Sequence, residues 1–456
     1  MRILVLIFFS IVAISHAREY GDLISYELID FRSSAEIEST LENVFPTAPQ
    51  CDYDVALYKI VYETVDIDSN LTYASASVGI PQNQDKLFPL VAYFHGTTVM
   101  QNDVTSVHGF DSGEGGFISM WLGTVGTVIL IPDYLGLGVS EGLHPYQLLM
   151  PSASSSIDAI EATKQLVYEL GVISSEQLFL CGYSEGGYVT MATQKIIEEN
   201  PSLDIEITAS APCAGAYDMS DTMYNVMISE TPYGAPYYLP YVIFSYNDYY
   251  NIYDSYDEIL KPEYASILPE MFYSGEYSST EINNIMPNIP MDIVKDDIFL
   301  DIVSDYNHPI RDALRENDLY DWSPQSRTRI YHSTQDELVP VENAEIAYNQ
   351  FIANGSDPDR IELAVSDLGT HQIAAPWILI SAYYWFQDLI DSPEILLGDM
   401  DLNNIVDVLD VIILVNIIVE NVSEAEPYQN YVGDINSDEE LNVLDVISMV
   451  NIILNP

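Results

Sequence analysis

From about Ala56 to Gln387, short apolar runs alternate with stretches of helical period, and that rhythm leaves few folds open. Strands separated by helices point to an α/β architecture with a mainly parallel sheet. The strand candidates are Phe88–Phe94, Thr127–Pro132, Gln177–Cys181, Glu206–Ala211, Arg329–His332 and Arg360–Val365. Between them, Ser154–Leu170 predicts a helix that begins in a serine-rich cap, carries Ile157, Ile160 and Val167 among polar positions, and stops before Gly171. Tyr188–Glu199 predicts a second helix.

The rhythm breaks twice. From about Tyr217 to Asn307 the chain is dense in tyrosine, as in Pro232-Tyr233-Gly234-Ala235-Pro236-Tyr237-Tyr238 and Tyr246-Asn247-Asp248-Tyr249-Tyr250. Tyrosine offers flat apolar area with a polar tip, so this segment is expected to be an insertion capping a binding cleft. Past Ser392-Pro393 a repeat appears. Gly398-Asp399-Met400-Asp401-Leu402-Asn403-Asn404 leads to Val408-Leu409-Asp410-Val411-Ile412, and Gly433-Asp434-Ile435-Asn436-Ser437-Asp438-Glu439 leads to Val443-Leu444-Asp445-Val446-Ile447. At the other end, Arg2, an apolar run from Ile3 to Ile14 and Ser15-His16-Ala17 have the build of a secretory signal peptide cut after Ala17. The run is too short for the ~20 residues of a membrane span, so no transmembrane segment is expected in the mature chain. The expected organisation is a signal peptide at 1–17, a catalytic domain at 18–391 with its cap at about 217–307, a linker at 392–397 and a small module at 398–456.

Composition bounds the partners. The 456-residue chain is 48% hydrophobic, ample for a large core and more than one folded unit. Its formal charge of −56, from 70 acidic against 14 basic residues, argues against nucleic acid and suits a solvated surface adapted to salty water. Three cysteines, Cys51, Cys181 and Cys213, permit at most one internal disulfide, and the apolar settings of Cys181 and Cys213 favour buried free thiols.

Gly182-Tyr183-Ser184-Glu185-Gly186 lies between a predicted strand and a predicted helix, where a strained turn lifts a serine above the sheet edge. A hydroxyl needs a base to take its proton and donors to stabilise the oxyanion that forms. On such a scaffold the acid and then the histidine follow the serine. His371, in a polar loop past the last strand, is the expected base ahead of His308 and His332. Asp336, just past the preceding strand, is the expected acid, with Glu337 its nearest competitor. The backbone N–H groups of Glu185 and Thr97 are the expected oxyanion donors, with Thr98 the alternative to Thr97 and His95 a structural hydrogen-bonder in the same turn. This chemistry requires no cofactor.

His95-Gly96-Thr97, Pro132-Asp133-Tyr134-Leu135-Gly136-Leu137-Gly138, His144-Pro145-Tyr146, Gly182-Tyr183-Ser184-Glu185-Gly186-Gly187, the Asp336 loop and Gly369-Thr370-His371 together resemble the α/β-hydrolase superfamily, in particular its secretory lipase branch. The resemblance spans roughly Asp52 to Asp391 and implies hydrolysis of carboxylic esters or acylglycerols through an acyl-enzyme, with a cap between nucleophile and acid. The alternatives are a carbohydrate esterase removing acetyl or feruloyl groups from polysaccharide, a serine peptidase, or a silent binding protein on the same fold.

The C-terminal repeat resembles type I dockerin modules, small all-α domains that bind Ca2+ and dock onto cohesins. In that reading oxygen side chains at loop positions one, three, five, nine and twelve surround the ion. They are Asp399, Asp401, Asn403, Asp407 and Asp410 in the first loop, and Asp434, Asn436, Asp438, Asn442 and Asp445 in the second. Asn404 and Glu439 replace the turn glycine at position six. The resemblance implies a secreted or surface-attached enzyme with a cohesin-type partner; a calcium-stiffened terminus is the alternative.

Overall fold

The computed structural model describes residues 21–43, 50–83, 86–391, 395–420, 425, 427–438 and 440–454. The expected signal peptide at 1–17 and linker residues 392–394 lie outside the described residues. The strands are β1 (Leu23–Arg32), β2 (Val55–Val65), β3 (Leu71–Pro81), β4 (Phe88–Phe94), β5 (Val128–Pro132), β6 (Ser174–Tyr183), β7 (Ala209–Cys213), β8 (Arg327–Ser333) and β9 (Ile361–Ser366). They form one sheet in the order β1-β2-β3-β5-β4-β6-β7-β8-β9. From β5 onward every neighbouring pair is parallel, while β1, β2 and β3 form an antiparallel meander that joins β5 antiparallel.

The inner parallel strands bury both faces, whereas only Ile361 is buried in the edge strand β9. Leu90 and Ala92 of β4 point into one apolar core with Leu130, Leu180 and the helix Leu149–Glu169, while Val91 and Tyr93 point into another with Phe179, Trp121 and Phe386. This two-sided burial makes such strands read as continuous apolar runs.

Two sequence expectations are corrected. β7 begins at Ala209 rather than Glu206 and runs on to Cys213, because its pairing to β6 starts with Ala209 opposite Phe179. The helix expected from Ser154 begins at Leu149. Its serines are not a cap: Ser155 and Ser156 are buried within the helix and donate to the carbonyls of Pro151 (2.8 Å) and Ser152 (2.7 Å). The first turn is instead served by Asn317, whose Oδ1 accepts the Leu149 N–H at 2.8 Å.

Between β7 and β8 the insertion folds into helices, among them Tyr238–Tyr250, Asp296–Ser304 and Pro309–Glu316. Its apolar cluster continues past Asn307, since Ala313, Leu314, Leu319 and Trp322 pack in the same core as Tyr241 and Phe244. None of the three cysteines is in a disulfide, and Cys181 and Cys213 are buried.

Buried Asn317 also donates to the hydroxyl of Tyr250 at 2.7 Å, so one side chain joins the cap to a sheet-packed helix. Asn317→Ala is expected to cost about 1–3 kcal/mol by leaving the half-buried Leu149 N–H and the buried Ala313 carbonyl without their partner. Denaturant unfolding against wild type measures that cost.

Candidate active site

β6 ends at Tyr183 and the helix Glu185–Glu199 begins two residues later, so Ser184 alone makes the turn. It does so at φ 61° and ψ −119°, a left-handed backbone that costs energy in any residue with a Cβ. The Ser184 N–H donates to the Cys213 carbonyl at 2.9 Å, which the downstream shift of β7 makes available. The surrounding glycines are a packing requirement: a Cβ on Gly182 or Gly186 would collide with the Phe94 carbonyl, and one on Gly187 with the Cys213 carbonyl.

Ser184 Oγ lies 2.8 Å from Nε2 of His371, and His371 Nδ1 lies 2.6 Å from Oδ2 of Asp336. Residues 187 and 35 positions apart thus form one hydrogen-bonded chain. His371 opens the helix His371–Gln387. Its N–H donates to Glu337 Oε2 at 2.9 Å and its carbonyl accepts the Tyr183 hydroxyl at 2.5 Å. Glu337, the competitor for the acid, therefore holds the histidine's backbone.

Asp336 is fully buried at its side chain. Oδ1 accepts the N–H groups of Leu338 (3.0 Å) and Val339 (2.8 Å), while His332 Nε2 approaches Oδ2 at 3.4 Å. Burial pushes this carboxyl up, but hydrogen bonds from His332 and His371 outweigh it and hold the group at about 2. His332 thus stands behind the acid. His308 sits in the cap, where Nδ1 accepts the Ile310 N–H at 3.2 Å.

The loop after β4 passes over the serine turn. Glu114, which sequence reasoning missed, anchors it by accepting the Tyr93 hydroxyl at 2.6 Å and the Gly96 N–H at 3.2 Å. His95 holds the turn as expected: Nδ1 lies 2.8 Å from the Gly96 carbonyl, and its own carbonyl accepts the Tyr134 hydroxyl at 2.9 Å. Among the described residues, the amides of Thr97 and Glu185 donate to no protein acceptor.

Cap tyrosines grip these loops. Tyr241 donates to the Thr98 carbonyl (3.0 Å), Tyr233 to Leu338 (2.9 Å) and Tyr246 to Gln147 (2.9 Å). Tyr241 also stacks on Tyr146 with centroids 4.5 Å apart and planes at 7°. Below the cap lies a narrow cleft of about 40 Å³, reached by Ser184 and Glu185 and walled mainly by Met219, Met223, Met227, Leu239, Val242 and Val339.

At the C-terminus the helices Val408–Glu420, Pro427–Gly433 and Val443–Leu454 enclose Met400, Leu414, Val432 and Met449. Carboxylate oxygens of Asp399, Asp401 and Asp410 lie within 4.8 Å of one another, as do those of Asp434, Asp438 and Asp445. Asp399, Asp410 and Asp445 are buried, and burial pushes the Asp399 carboxyl up, so these donors fit a hard divalent cation. Asp407 and Asn442 accept the N–H groups of Leu409 (2.7 Å) and Leu444 (2.8 Å), each at the start of a helix; Asp407 lies outside the carboxylate cluster. Asn403 Oδ1 likewise accepts the Ile405 N–H at 2.8 Å, and the Asn436 N–H donates to Asp445 at 3.3 Å. Asn404 takes the left-handed turn at φ 63°, a conformation asparagine tolerates, while Glu439 lies outside the described residues.

A mainly parallel sheet, a serine on a strained strand-to-helix turn and an overlying cap define an α/β-hydrolase of the ester-cleaving lipase/esterase class. The chain belongs to the secretory lipase family, which matches residues 114–390. A crystal structure of a candidate hydrolase from Legionella pneumophila is 31% identical, with 80% of this chain and 98% of that one covered at a TM-score of 0.74. The rice cell wall degrading esterase LipA from Xanthomonas oryzae is 26% identical, with 81% and 98% covered at 0.73. Candida antarctica lipase A in its closed state, 15% identical with 81% and 82% covered at 0.62, shares the fold. No curated protein matches the sequence. No helix among the described residues is long and apolar enough to cross a membrane.

Because the folded value of Asp336 lies below the unfolded value of about 3.9, its stabilising contribution is complete above that pH and is lost as pH falls towards the folded value. The stability gap between wild type and Asp336→Asn should therefore narrow as pH drops from about 5 towards 2. Unfolding measured across that range checks it.

Proposed function

We propose that the chain is an exported serine hydrolase that cleaves carboxylic esters through an acyl-enzyme on Ser184. The observation that carries this reading is the Ser184–His371–Asp336 chain at 2.8 and 2.6 Å. Asp336, anionic above about pH 2, accepts a hydrogen bond from Nδ1–H, which keeps that proton on the ring and leaves Nε2 free to act as base. His371 takes the Ser184 proton as Oγ attacks the ester carbonyl. The amides of Glu185 and Thr97 receive the oxyanion. The imidazolium then protonates the departing alcohol, and water repeats the sequence to release the acid. The methionine- and leucine-walled cleft suits an apolar acyl group.

A second reading, a carbohydrate esterase acting on polysaccharide esters, draws support from the likeness to a cell wall degrading esterase and from the dockerin-like repeat. Residues 398–456 are proposed to hold two Ca2+ ions and to engage a cohesin-type partner that attaches the enzyme to a surface. The carboxylate clusters around Asp410 and Asp445 support the first of these. The family and the expected signal peptide at 1–17 support export.

A fluorophosphonate probe should label wild type and leave Ser184→Ala unlabelled, and Asp336→Asn should lower kcat by about 10⁴-fold. Rates on p-nitrophenyl esters of increasing chain length, set against acetyl release from acetylated xylan, discriminate the two substrate readings. Calorimetric titration should find two calcium sites, one lost in Asp410→Ala and the other in Asp445→Ala, with esterase activity retained in both.

A further inference from the structure

The side chain of Glu185 is 1% exposed, and its carboxyl belongs to the residue whose amide faces the expected oxyanion. A bare carboxylate there would be costly to bury and would oppose negative charge developing on the substrate. Its Oε1 lies 2.6 Å from Nε2 of His144, which is itself buried, while its Oε2 has no hydrogen-bond partner. Nδ1 of His144 faces the Leu135 carbonyl at 2.9 Å. A carbonyl only accepts, so Nδ1 carries a proton, and the short contact to Oε1 requires a second proton between Nε2 and the carboxyl. Whichever atom holds that proton, the pair sums to zero charge.

The surroundings offer no other source of neutralisation. The Tyr134 ring stacks on His144 at 5.4 Å, and the Tyr146 and Tyr241 rings meet it edge-on at 6.3 and 5.9 Å. Tyr237 and Tyr238 of the cap complete the enclosure, and burial pushes all five phenols up, leaving them uncharged at neutral pH. His371 and Asp336 lie across Ser184, and His95 packs on the Tyr134 ring at 4.2 Å with its Nε2 3.4 Å from the Asp133 carbonyl. Among the described residues no lysine or arginine pairs with Glu185, and its one ion pair is with His144. The His144 backbone is pinned too, since a Cβ at Gly136 would collide with its N–H.

We infer that His144 is a positioning residue of the ester-cleaving site: by sharing a proton with Glu185 it keeps the oxyanion amide beside a neutral side chain. This rests on the assignment of the Glu185 amide as an oxyanion donor. His144→Gln preserves a donor towards Glu185 but supplies no proton, so nothing beside the carboxyl balances its charge. Measured at neutral and at alkaline pH, kcat should fall by about tenfold to a hundredfold with KM little changed. Adding Glu185→Gln to His144→Gln should restore most of the lost kcat.

No loss of kcat at either pH, a loss carried by KM, or failure of the double variant to recover would overturn the inference. Should His144→Gln not fold, His144→Asn carries the same comparison, and failure of both to fold would make His144 a folding residue and end the proposal. Fluorophosphonate labelling of wild type at Ser184, run alongside, separates this failure from failure of the serine mechanism itself.

Discussion

Everything at this site depends on how closely three backbone segments approach at the serine turn. The end of β4, the end of β7 and the start of the helix Glu185–Glu199 lie so near one another that Gly182, Gly186 and Gly187 have no room for a Cβ. That contact holds Ser184 at φ 61°, against its preference, and aims its hydroxyl out of the sheet edge. The same approach sets the loop after β4 over the turn. The strain is local; the sheet core on both faces carries the stability that sustains it.

The cap is bound to the machinery it covers. Tyr241, Tyr233 and Tyr246 donate to carbonyls of the three loops that shape the cleft, and Asn317 ties the insertion to the helix Leu149–Glu169. A tyrosine-rich insertion thus makes hydrogen bonds at its rim as well as apolar contact in its core. Cap packing and loop geometry are consequently coupled: a change near Tyr146 and Tyr241 is also a change behind the loop after β4.

β4 and β5 were legible because two-sided burial writes each as an unbroken apolar run, as Phe88–Phe94 illustrates. β1 was not, since none of its residues is buried and Glu27, Asp30 and Arg32 lie within it. Ser184, His371 and Asp336 could be picked out because turn chemistry and chain order constrain their loops. Glu114, the Glu185 carboxyl and His144 could not: their roles rest on contacts between residues 18 and 41 positions apart, which no local pattern records. In the C-terminal loops the repeat spacing located Asp399, Asp401 and Asp410, but it gave no sign that Asp407 would serve as a helix cap.

The central claim is that Ser184 becomes the covalent carrier of the acyl group, and a slowly leaving carbamoyl ester tests it most directly. Inactivation by such an ester, followed by peptide mass spectrometry, should find one carbamoyl group per chain on Ser184 and none when His371 is replaced by alanine. Stoichiometric modification of a different residue, or full ester turnover by a chain already carrying the group on Ser184, would contradict the account.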